Sequence, residues 1–562
     1  MRFLILSAVL ALPATALTQT TAQTQTTTHP AADGKVHCTI QPPPAPGEAL
    51  TALVAGNTDR AETLYAAQVA SSPSPAAYAG LARAQLAADK LPQALSTAKS
   101  ALAFAPTSAE VQSLTGDVLL RSGQIPEAGA AYTRALALDG CSARGHYGMG
   151  LVNQLLSRHA AADHEFDLAR KLSPGDPEII ATYLTSLPET DRVVPLNAFL
   201  ATKPQLPPDR IEALTRQLDI LQARKLCTPV EPFQTAKLAL TPVMFNGTII
   251  RSWGFSTKFN NADSLLLELD PSVSGILLDE KQAAKAGVQP LIPGATTVPY
   301  TGFVGHIKIG TVAYHDCPVR VVASSTLAKA NGLIGLDLFR DHLIHIDYPD
   351  QSVTLNPLPA TALVEPTTER AIVTPTDKAW SQIYVDGSNI LVPTLINKQG
   401  PFLFVLDTGA PHTVLSPDVT SRTLDKSSDA TIAIQGTSGA VVKFIPKESG
   451  GNVNSSNGGG GDRNRADIYS TSGTLLKVSR PVKLPLYRFA GSEVPNPSAV
   501  SFDLTPKSHD TGVEVSGLLG FDILRGFIID INYRDGVVRI LFDQNRRYAV
   551  QQADKTYLGN YY

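Results

Sequence analysis

One long stretch of the sequence occurs twice. Residues 332–355 read GLIGLDLFRDHLIHIDYPDQSVTL, and residues 517–541 read GLLGFDILRGFIIDINYRDGVVRIL. Both share their glycines, an Asp, an Arg, alternating Ile residues and a Tyr-x-Asp turn. Short Val, Ile, Leu and Thr runs punctuated by Gly and Pro are typical of β-strands. We therefore predict two copies of one all-β unit, at residues 226–360 (the first unit) and 361–548 (the second unit).

An apolar segment that ends in an Asp precedes each copy. Residues 265–276 read LLLELDPSVSGI, and residues 402–414 read FLFVLDTGAPHTV. Asp407 thus begins an Asp-Thr-Gly loop, whereas the matching Asp270 begins an Asp-Pro-Ser loop. A lone Asp-Thr-Gly is a weak signal because any β-turn can carry it. Here it follows a predicted strand and precedes a duplicated segment, which makes the signal much stronger.

These paired segments resemble the two lobes of the retropepsin-like and pepsin-like aspartic proteases. Each lobe of that family has a strand ending in Asp-Thr-Gly and a later apolar strand with a Gly, here Gly335 and Gly520, that supports the catalytic loop. The resemblance covers about residues 235–545 and implies a bilobal all-β domain that hydrolyses peptide bonds. In such a centre two nearby carboxylates share one proton, hold a water and act as base and acid together.

The loop of the second unit has the residues that the family uses. The resemblance makes Asp407 a catalytic residue. Gly409 allows a tight loop and can offer its N–H to the carboxylate, and the Thr408 hydroxyl can tie the loop to its partner. His412 follows the loop, but no nucleophile is positioned beside it, so we interpret it as a loop or packing residue.

The loop of the first unit departs from the family pattern. Pro271 has neither a hydroxyl nor a backbone N–H and fixes φ near roughly −65°, and Ser272 adds a side chain where the family prefers none. Ser274 places a hydroxyl four residues after Asp270. Two interpretations stay open. Either Asp270 completes the catalytic pair with support from Ser272, Ser274 and Gly335, or the loop is not competent.

The second unit is also the longer one. The segment from its loop Asp to its supporting Gly, 407–520, is much longer than the matching segment 270–335 of the first unit. Residues 449–465 have almost no apolar side chain and are predicted to form a disordered surface loop. A hairpin tip is predicted nearby, at Gly436, Thr437, Ser438 and Gly439. It is either a flap that could fold over a substrate strand or simply a hairpin turn. Residues 298–302 are a weaker candidate for the same role in the first unit.

Between about residues 47 and 178, small and aromatic residues recur every 34 positions. The columns are Ala82, Gly116, Gly150; Ala94, Ala128, Ala162; Ala98, Tyr132, Phe166; and Ala101, Ala135, Ala169, with breakers at Pro106, Gly140 and Pro174. Helix-pair repeats need small residues where two helices cross closely and a breaker at the turn. The region resembles tetratricopeptide repeats.

This second resemblance predicts an all-α solenoid over residues 47–225 that binds a protein partner. Residues 179–225 are expected to form a capping helix pair. An Ala-rich helical bundle is the alternative explanation of the period, and a solenoid that acts only as a spacer is the alternative to partner binding. The fold class expected for the whole chain is therefore an all-α tetratricopeptide-type solenoid followed by an all-β bilobal domain.

The N-terminus has the features of a secretory signal. Residues 1–22 contain a charged start, a short apolar run and a small-residue cleavage site. Residues 23–46 are rich in Thr, Gln and Pro and are predicted to be a disordered linker, and residues 549–562 a tail. No later run of about 20 apolar residues occurs, so we expect no transmembrane segment in a mature chain that is exported to the periplasm or the cell exterior.

The spacing of the cysteines and the net charge limit the kinds of ligand that this chain is expected to bind. Cys38, Cys141, Cys227 and Cys317 are widely spaced without a Cys-x-x-Cys pattern, which argues against a zinc site and permits disulfides whose pairing stays open. The net charge of −3 provides no basic field for nucleic acid. We expect no metal, no cofactor and no nucleic-acid partner.

Two functions are compatible with these patterns. The leading prediction is an exported aspartic endopeptidase whose repeats recruit a protein substrate or partner. The alternative is a catalytically inactive scaffold that binds extended peptide in the groove between the units and a second partner on the repeats. The Pro271-Ser272 departure favours the alternative, and the intact Asp-Thr-Gly at Asp407 favours the enzyme.

Overall fold

A helical region followed by a β-rich region forms the molecule, as the sequence predicts. The computed structural model describes residues 26–30, 36–40, 47–245, 249–260, 262–324, 331–363, 379–410, 412–423, 468–469, 475–476, 482–483, 486–495 and 498–542. The helices are α1 (Glu48–Val54), α2 (Thr58–Ser71), α3 (Pro75–Ala87), α4 (Leu91–Phe104), α5 (Ala109–Arg121), α6 (Ile125–Leu138), α7 (Ala143–Leu155), α8 (His159–Leu172), α9 (Pro177–Ser186), α10 (Glu189–Ala201) and α11 (Pro208–Gln222).

The helix pairs α3–α4, α5–α6 and α7–α8 follow the period of the predicted repeat. The side chains of Ser74, Ser108 and Ser142 each accept a hydrogen bond from the N–H three residues on, at 3.2, 3.4 and 3.1 Å. Such a cap satisfies an N–H that has no partner inside the helix. These serines are also 34 residues apart, so the helix caps repeat together with the small residues.

The small residues of the repeat lie where helices cross. A Cβ atom built on Gly116 would lie 2.5 Å from the Tyr132 ring, and one built on Gly150 would lie 2.4 Å from the Phe166 ring. No Cβ fits at such distances, so a glycine is required for the two helices to approach. The Tyr132 ring is fully buried, and its hydroxyl donates to Asp117 Oδ1 at 2.8 Å.

Two expectations for the flanks of the solenoid need correction. Residues 179–225 form three helices rather than one pair, because prolines at 188 and 207 start α10 and α11 and prevent the preceding helix from continuing. Residues 23–46 are not wholly unstructured, because β1 (Thr26–Pro30) pairs with β2 (Val36–Ile40) in an antiparallel ladder. Disulfides join Cys38 to Cys141 and Cys227 to Cys317.

The β-rich region begins after α11. Its strands are β3 (Thr228–Pro229), β4 (Ala236–Ala239), β5 (Thr241–Phe245), β6 (Ile249–Phe259), β7 (Leu265–Leu269), β8 (Ile276–Asp279), β9 (Gln289–Pro290), β10 (Tyr300–Ile309), β11 (Val312–Val322), β12 (Gly332–Ile334), β13 (His342–Asp347), β14 (Ser352–Pro357), β15 (Ser381–Gln382), β16 (Tyr384–Asp386), β17 (Asn389–Ile396), β18 (Gln399–Leu406), β19 (Val414–Leu415), β20 (Ile468–Tyr469), β21 (Leu475–Leu476), β22 (Val482–Lys483), β23 (Leu486–Phe489), β24 (Ser492–Pro495), β25 (Ser498–Ser501), β26 (Gly517–Leu519), β27 (Phe527–Asn532) and β28 (Val537–Phe542). Short helices α12 (Glu280–Ala286), α13 (Pro417–Thr423), α14 (Thr505–Thr511) and α15 (Phe521–Leu524), and a 3-10 helix at Leu336–Phe339, connect them.

The two units have the same sheet topology. Neighbouring strands run β11-β8-β12-β7-β6-β10 in the first unit and β25-β19-β26-β18-β17-β23 in the second. In each unit the strand that leads into the loop Asp pairs in parallel with the strand that leads into the supporting Gly, as β7 with β12 and as β18 with β26. The duplication in the sequence is therefore a duplication of fold.

A shared sheet joins the two units. Its strand order is β15-β28-β27-β13-β14-β4, and β13 pairs with β27 in antiparallel register, with Ile344 opposite Ile531 and Ile346 opposite Ile529. On the same strand pair, His345 Nδ1 lies 2.7 Å from Asp530 Oδ1. The buried side chains of both units form one continuous apolar core.

The solenoid packs against the second unit. Buried apolar side chains from both sides form one cluster, which includes Leu120, Ile125, Met149, Val152, Leu155, Tyr384, Leu391, Leu403, Val405 and Val515. The Glu514 N–H donates to Arg121 O at 2.7 Å. The first unit has Glu268 at the position that matches Val405, and this buried carboxylate accepts a hydrogen bond from Ser252. The apolar docking surface is thus a property of the second unit.

Replacing Gly116 by Ala tests the close helix crossing. The added methyl group clashes with a ring that burial and the bond to Asp117 hold in place, so we expect a loss of about 1–3 kcal/mol in unfolding free energy despite the better helix propensity of Ala. Gly140→Ala is the matched control, because the nearest atom to its Cβ would be 3.9 Å away. Urea denaturation measures both, and equal stability of the two variants would contradict the crossing.

The His345–Asp530 pair makes stability depend on pH. The hydrogen bond to Asp530 raises the pKa of His345 above its ordinary value, so its stabilisation is complete below about pH 6.5 and is lost as pH rises through the higher folded-state pKa. We expect His345→Gln to lower the unfolding free energy by about 1 kcal/mol near pH 5.5 and by less near pH 8.5. The loss is modest because the His345 side chain is 33% exposed and solvent screens its charge. Urea titrations at both pH values measure the difference, and a deficit that grows with pH would contradict this.

Candidate active site

The two aspartates that end the matching strands lie beside each other. The Asp270 N–H donates to Ile334 O at 3.0 Å, and the Asp407 N–H donates to Leu519 O at 3.1 Å. A Cβ atom built on Gly409 would lie 2.6 Å from Asp270 Oδ2 and 3.3 Å from Asp407 Oδ1. The separation of the two oxygens therefore cannot exceed the sum of these two distances. One water that makes two hydrogen bonds of about 2.8 Å covers a gap of nearly this size.

Ser272 holds the carboxylate of the first unit. Its N–H and its hydroxyl both donate to Asp270 Oδ1, at 2.9 and 2.8 Å. The Asp270 side chain is almost fully buried, and Oδ2 is the oxygen that faces Gly409. The residue that departs from the family pattern thus supplies two donors to the carboxylate, and Pro271 does not remove its anchoring.

The second loop holds Asp407 through its backbone. The Ala410 N–H donates to Asp407 Oδ1 at 2.9 Å, one residue beyond the Gly409 N–H that the sequence suggested as a donor. The contribution of Gly409 is its missing side chain, since any Cβ would collide with Asp270 Oδ2. Asp407 is more accessible than Asp270.

A hydrogen bond from the second loop crosses to the first unit. The buried Thr408 hydroxyl donates to Leu269 O at 3.0 Å, the carbonyl directly before Asp270. This is the tie expected of a Thr at that position. Pro271 occupies the equivalent position in the first loop, and its side chain has no hydroxyl that could donate an equivalent hydrogen bond. The two loops are therefore connected asymmetrically.

Gly335 and Gly520 pack closely against the two aspartate loops. A Cβ atom on Gly335 would lie 2.1 Å from Val273 O, and one on Gly520 would lie 2.2 Å from the His412 carbonyl carbon. The Gly335 N–H also donates to Gly275 O at 2.8 Å. Any larger residue at either glycine would push the loop away from the strand that supports it.

A second Asp in each unit, Asp337 or Asp522, accepts a hydrogen bond from the aspartate loop. The sequence analysis did not predict this role. The Ser274 hydroxyl donates to Asp337 Oδ2 at 2.7 Å rather than to Asp270. In the second unit the Thr413 hydroxyl donates to Asp522 Oδ1 at 2.9 Å and accepts the Gly520 N–H at 3.1 Å. The signal was available, because Asp337 and Asp522 are the Asp shared by the duplicated segments.

Tyr348 lies close to both carboxylates. Its ring is buried and meets Phe521 edge-on at 6.2 Å. Burial raises the pKa of its hydroxyl well above the usual value, the Thr408 hydroxyl opposes that rise, and the charges of Asp270 and Asp407 add to it, so Tyr348 stays neutral. It belongs to the repeated Tyr-x-Asp turn, which is the sequence signal that could have identified it.

The flap predictions have different outcomes. Gly436, Thr437, Ser438 and Gly439, and the loop 449–465, lie outside the described residues. In the first unit Tyr300, Thr301 and Gly302 belong to β10 and pair with β11, so they are not a hairpin tip. The connection between β9 and β10 is instead residues 291–299, where Ile292 is 52% exposed.

His412 lies on the loop that follows Asp407, near the second Asp of the same unit. His412 Nδ1 lies 3.7 Å from Asp522 Oδ2, and its side chain is 42% exposed. His412 thus lies beside the Asp that bonds Thr413. Among the residues that the structure describes, no three His, Cys, Asp or Glu side chains are grouped to hold a metal ion.

Polar side chains on the first helices of the repeats form a bonded row in the solenoid. Arg144 on α7 bonds Asp117 on α5 at 2.9 Å and Glu178 on α9 at 3.1 Å. The Tyr147 hydroxyl donates to the other oxygen of Glu178 at 3.2 Å. Desolvation opposes ionisation of Glu178, but Arg144 and Arg83 outweigh it and lower its pKa. This row is a candidate surface for a protein partner.

Replacing Thr413 by Val tests the support of the second loop. The change removes one hydrogen bond to Asp522 and leaves the buried Gly520 N–H without its acceptor, so we expect a loss of about 2–4 kcal/mol in unfolding free energy. Thr423→Val is the matched control, since among the described residues that buried hydroxyl bonds within its own helix, to Val419 O at 2.8 Å. Guanidinium denaturation compares the two variants, and a similar loss in both would show that Thr413 has no special role.

Comparison with known proteins identifies the helical region. Residues 48–151 match a family model described as a tetratricopeptide repeat-like domain. No curated protein matches the chain. None of the helices among the described residues is long and apolar enough to cross a membrane.

Similar solved structures include a thermophilic tetratricopeptide repeat protein of Thermus thermophilus, at 23% identity, covering 30% of this chain and 95% of that one, with a TM-score of 0.26. MamA is 17% identical, covers 32% of this chain and 96% of its own, and has a TM-score of 0.20. Pseudomonas aeruginosa pilF is 21% identical over 31% and 78% of the two chains, with a TM-score of 0.24. The family match and the periodic helix pairs show that the N-terminal region is built from tetratricopeptide-like repeats, which suggest interaction with other proteins.

Proposed function

We propose that this protein is an aspartic endopeptidase with Asp270 and Asp407 as its catalytic pair. The observation that carries the proposal is the approach of the two carboxylates at Gly409, where a single water can bridge them. Each carboxylate comes from a different copy of one β unit and ends an equivalent strand. This is the arrangement that the resemblance to retropepsin-like and pepsin-like aspartic proteases implies for a catalytic centre.

The pair would hydrolyse a peptide bond by moving protons through one water. The ionised carboxylate takes a proton from the water as its oxygen attacks the carbonyl carbon, and the protonated carboxyl gives its proton to the carbonyl oxygen. A neutral tetrahedral diol forms. The C–N bond then breaks as the amide nitrogen receives the first proton, and a diol hydroxyl returns a proton to the other carboxylate. The pair regains its starting state with one shared proton.

The surrounding residues keep the two carboxylates in position for this chemistry. Ser272 donates twice to Asp270 Oδ1 and the Ala410 N–H donates to Asp407 Oδ1, so the loops fix the orientation of both carboxylates. Thr408 ties the second loop to the first unit. Gly409 leaves the space between the carboxylates open. Preorganised groups of this kind lower the cost of reaching the transition state.

The remaining parts of the proposal concern architecture and location. Residues 226–360 and 361–548 would be the two lobes of the protease, and the connection 291–299 with its exposed Ile292 would cover the substrate from the first lobe. Residues 1–22 would direct export to the periplasm or the cell exterior. Two disulfides support that location, since they persist in oxidising compartments. The repeats would recruit a protein substrate or partner.

One observation favours a second candidate function, a peptide-binding scaffold without catalysis. The tie from Thr408 to Leu269 O has no counterpart from Pro271, so the two loops are not held symmetrically. A cleft with one-sided support can bind an extended chain even where it does not hold the carboxyl pair for proton transfer. The two candidates differ in whether the bound peptide is cut.

Cleavage assays with aspartate variants decide between them. The purified full chain is incubated with unfolded casein and a peptide library from about pH 3 to pH 8. We expect cleavage by the unmodified protein, and a fall of at least about a thousandfold in kcat/KM for both Asp270→Asn and Asp407→Asn, because neither variant can share a proton in the same way. Product peptides are quantified by mass spectrometry.

The control is Asp263→Asn, an exposed aspartate on the turn before β7, which should cleave like the unmodified protein. Absence of cleavage by the unmodified protein at every pH would overturn the endopeptidase and leave the scaffold. Loss in Asp407→Asn with full activity in Asp270→Asn would overturn the pairing of these two residues.

A further inference from the structure

The loop that Asp270 begins (the first aspartate loop) accepts two hydrogen bonds from the second unit. The Thr408 hydroxyl donates to Leu269 O at 3.0 Å, and Lys507 Nζ donates to Ser272 O at 3.5 Å. Leu269 lies directly before Asp270 in the chain, and Ser272 lies two residues after it. The second unit therefore bonds the backbone on both sides of this aspartate.

Lys507 bonds the residue that orients the Asp270 carboxylate. The Ser272 N–H and hydroxyl donate to Asp270 Oδ1, and the Ser272 carbonyl accepts from Lys507. Pro271 cannot donate a bond from this loop to the second unit, so the second bond between the units comes from Lys507 instead. An ammonium group has three N–H donors, and a hydrogen bond from a charged donor is stronger than a neutral one.

The segment that presents Lys507 is held by its own hydrogen bonds. It comprises residues 502–515, with α14 in its centre, and is called here the Lys507 segment. Ser508 directly follows Lys507 and is buried, and its hydroxyl accepts the Val515 N–H at 2.8 Å. The position of the helix that carries Lys507 is thus connected to the position of the end of this segment.

The solenoid packs on that end of the Lys507 segment. The Glu514 N–H donates to Arg121 O at 2.7 Å, and Val515 is fully buried in the apolar cluster shared with the solenoid. On the solenoid side, a Cβ atom built on Gly123 would lie 3.2 Å from Glu514 O. Hydrogen bonds and close packing therefore connect the solenoid, through the Lys507 segment, to the first aspartate loop.

We propose that Lys507 is a positioning residue that holds the first aspartate loop in the conformation required by the catalytic pair, and that the docked solenoid fixes the segment from which it does so. The inference rests on the proposed function and deepens it, because it assigns a role to a residue outside both aspartate loops. It also gives the solenoid a part in the arrangement of the active site besides the recruitment of a protein.

Hydrogen exchange tests the position of the loop without requiring cleavage. The amides of Ser272 and Val273 report on it, because they donate to Asp270 Oδ1 and to Asp270 O. Lys507→Met removes the ammonium group and keeps most of the side-chain length, so we expect the exchange of these amides to become about threefold to tenfold faster. Lys507→Arg keeps a charged donor and should restore slow exchange. Mass spectrometry of short fragments of the full chain measures the rates.

Two controls accompany this measurement. Lys285→Met makes the same substitution at an exposed position on α12 and should leave the exchange of the first aspartate loop unchanged. The Ala410 N–H, which donates to Asp407 Oδ1 in the second loop, should exchange at the same rate in all of these variants. Circular dichroism verifies that each variant is folded.

Cleavage of unfolded casein measures the consequence for the reaction. We expect kcat of Lys507→Met to fall about tenfold with little change in KM, because Lys507 acts on the position of a catalytic group rather than on the substrate. Lys507→Arg should recover most of this loss. Lys285→Met should cleave like the unmodified protein.

Replacing Gly123 by Ala tests the contribution of the solenoid. The added methyl group meets Glu514 O at a position whose φ is +75°, so we expect faster exchange at the Glu514 and Val515 amides and also in the first aspartate loop. Gly56→Ala is the matched control, because its φ is +76° and nothing lies within 4 Å of its Cβ. It introduces the same backbone strain without the contact and should leave both regions unchanged.

The outcomes separate this inference from the proposed function. Unchanged exchange in Lys507→Met, or faster exchange with unchanged kcat, overturns the positioning role, while cleavage by the unmodified protein leaves the endopeptidase standing. Faster exchange in Gly123→Ala that is confined to the Lys507 segment overturns the contribution of the solenoid. If the unmodified protein cuts no peptide, the endopeptidase fails, and the exchange in Lys507→Met still decides whether this residue holds the loop.

Discussion

The antiparallel pairing of β13 with β27 is the constraint on which the rest of the β-rich region depends. It places Ile344 opposite Ile531 and joins two copies of one sheet into a single core. Because the strands that follow each supporting glycine enter this shared sheet, the glycines and the loops above them have fixed relative positions. The separation of Asp270 and Asp407 is thus set by backbone pairing in the centre of the molecule rather than by contacts between the two side chains.

In both the helical and the β-rich region, glycines allow other groups to lie close to the backbone. Gly116 and Gly150 leave room for aromatic rings between helices. Gly335 and Gly520 leave room for the two aspartate loops, and Gly409 leaves room for the two carboxylates to face each other. These are the residues that the sequence patterns identified. A position that tolerates only Gly is visible in a sequence when it is repeated, at a fixed period in the solenoid or between the two units. The helical repeats and the duplicated β unit could be predicted for that reason.

Other features could not be predicted because they join segments that have no common spacing. Val405 packs in the cluster shared with the solenoid, whereas the matching Glu268 of the first unit accepts a hydrogen bond from Ser252. Ser272 departs from the family pattern in the sequence, but its N–H and its hydroxyl both donate to Asp270. These two bonds depend on the backbone conformation of the loop, which the sequence pattern does not reveal.

The central claim is that Asp270 and Asp407 act together on one oxygen atom. A structure of the complex with a peptide inhibitor that carries a secondary hydroxyl in place of the scissile amide tests it most directly, since such a group mimics the tetrahedral intermediate. The account predicts that this hydroxyl lies within about 3.2 Å of a carboxylate oxygen from each aspartate. An inhibitor hydroxyl that contacts only one of them, or carboxylates too far apart for one oxygen to bridge, would contradict it.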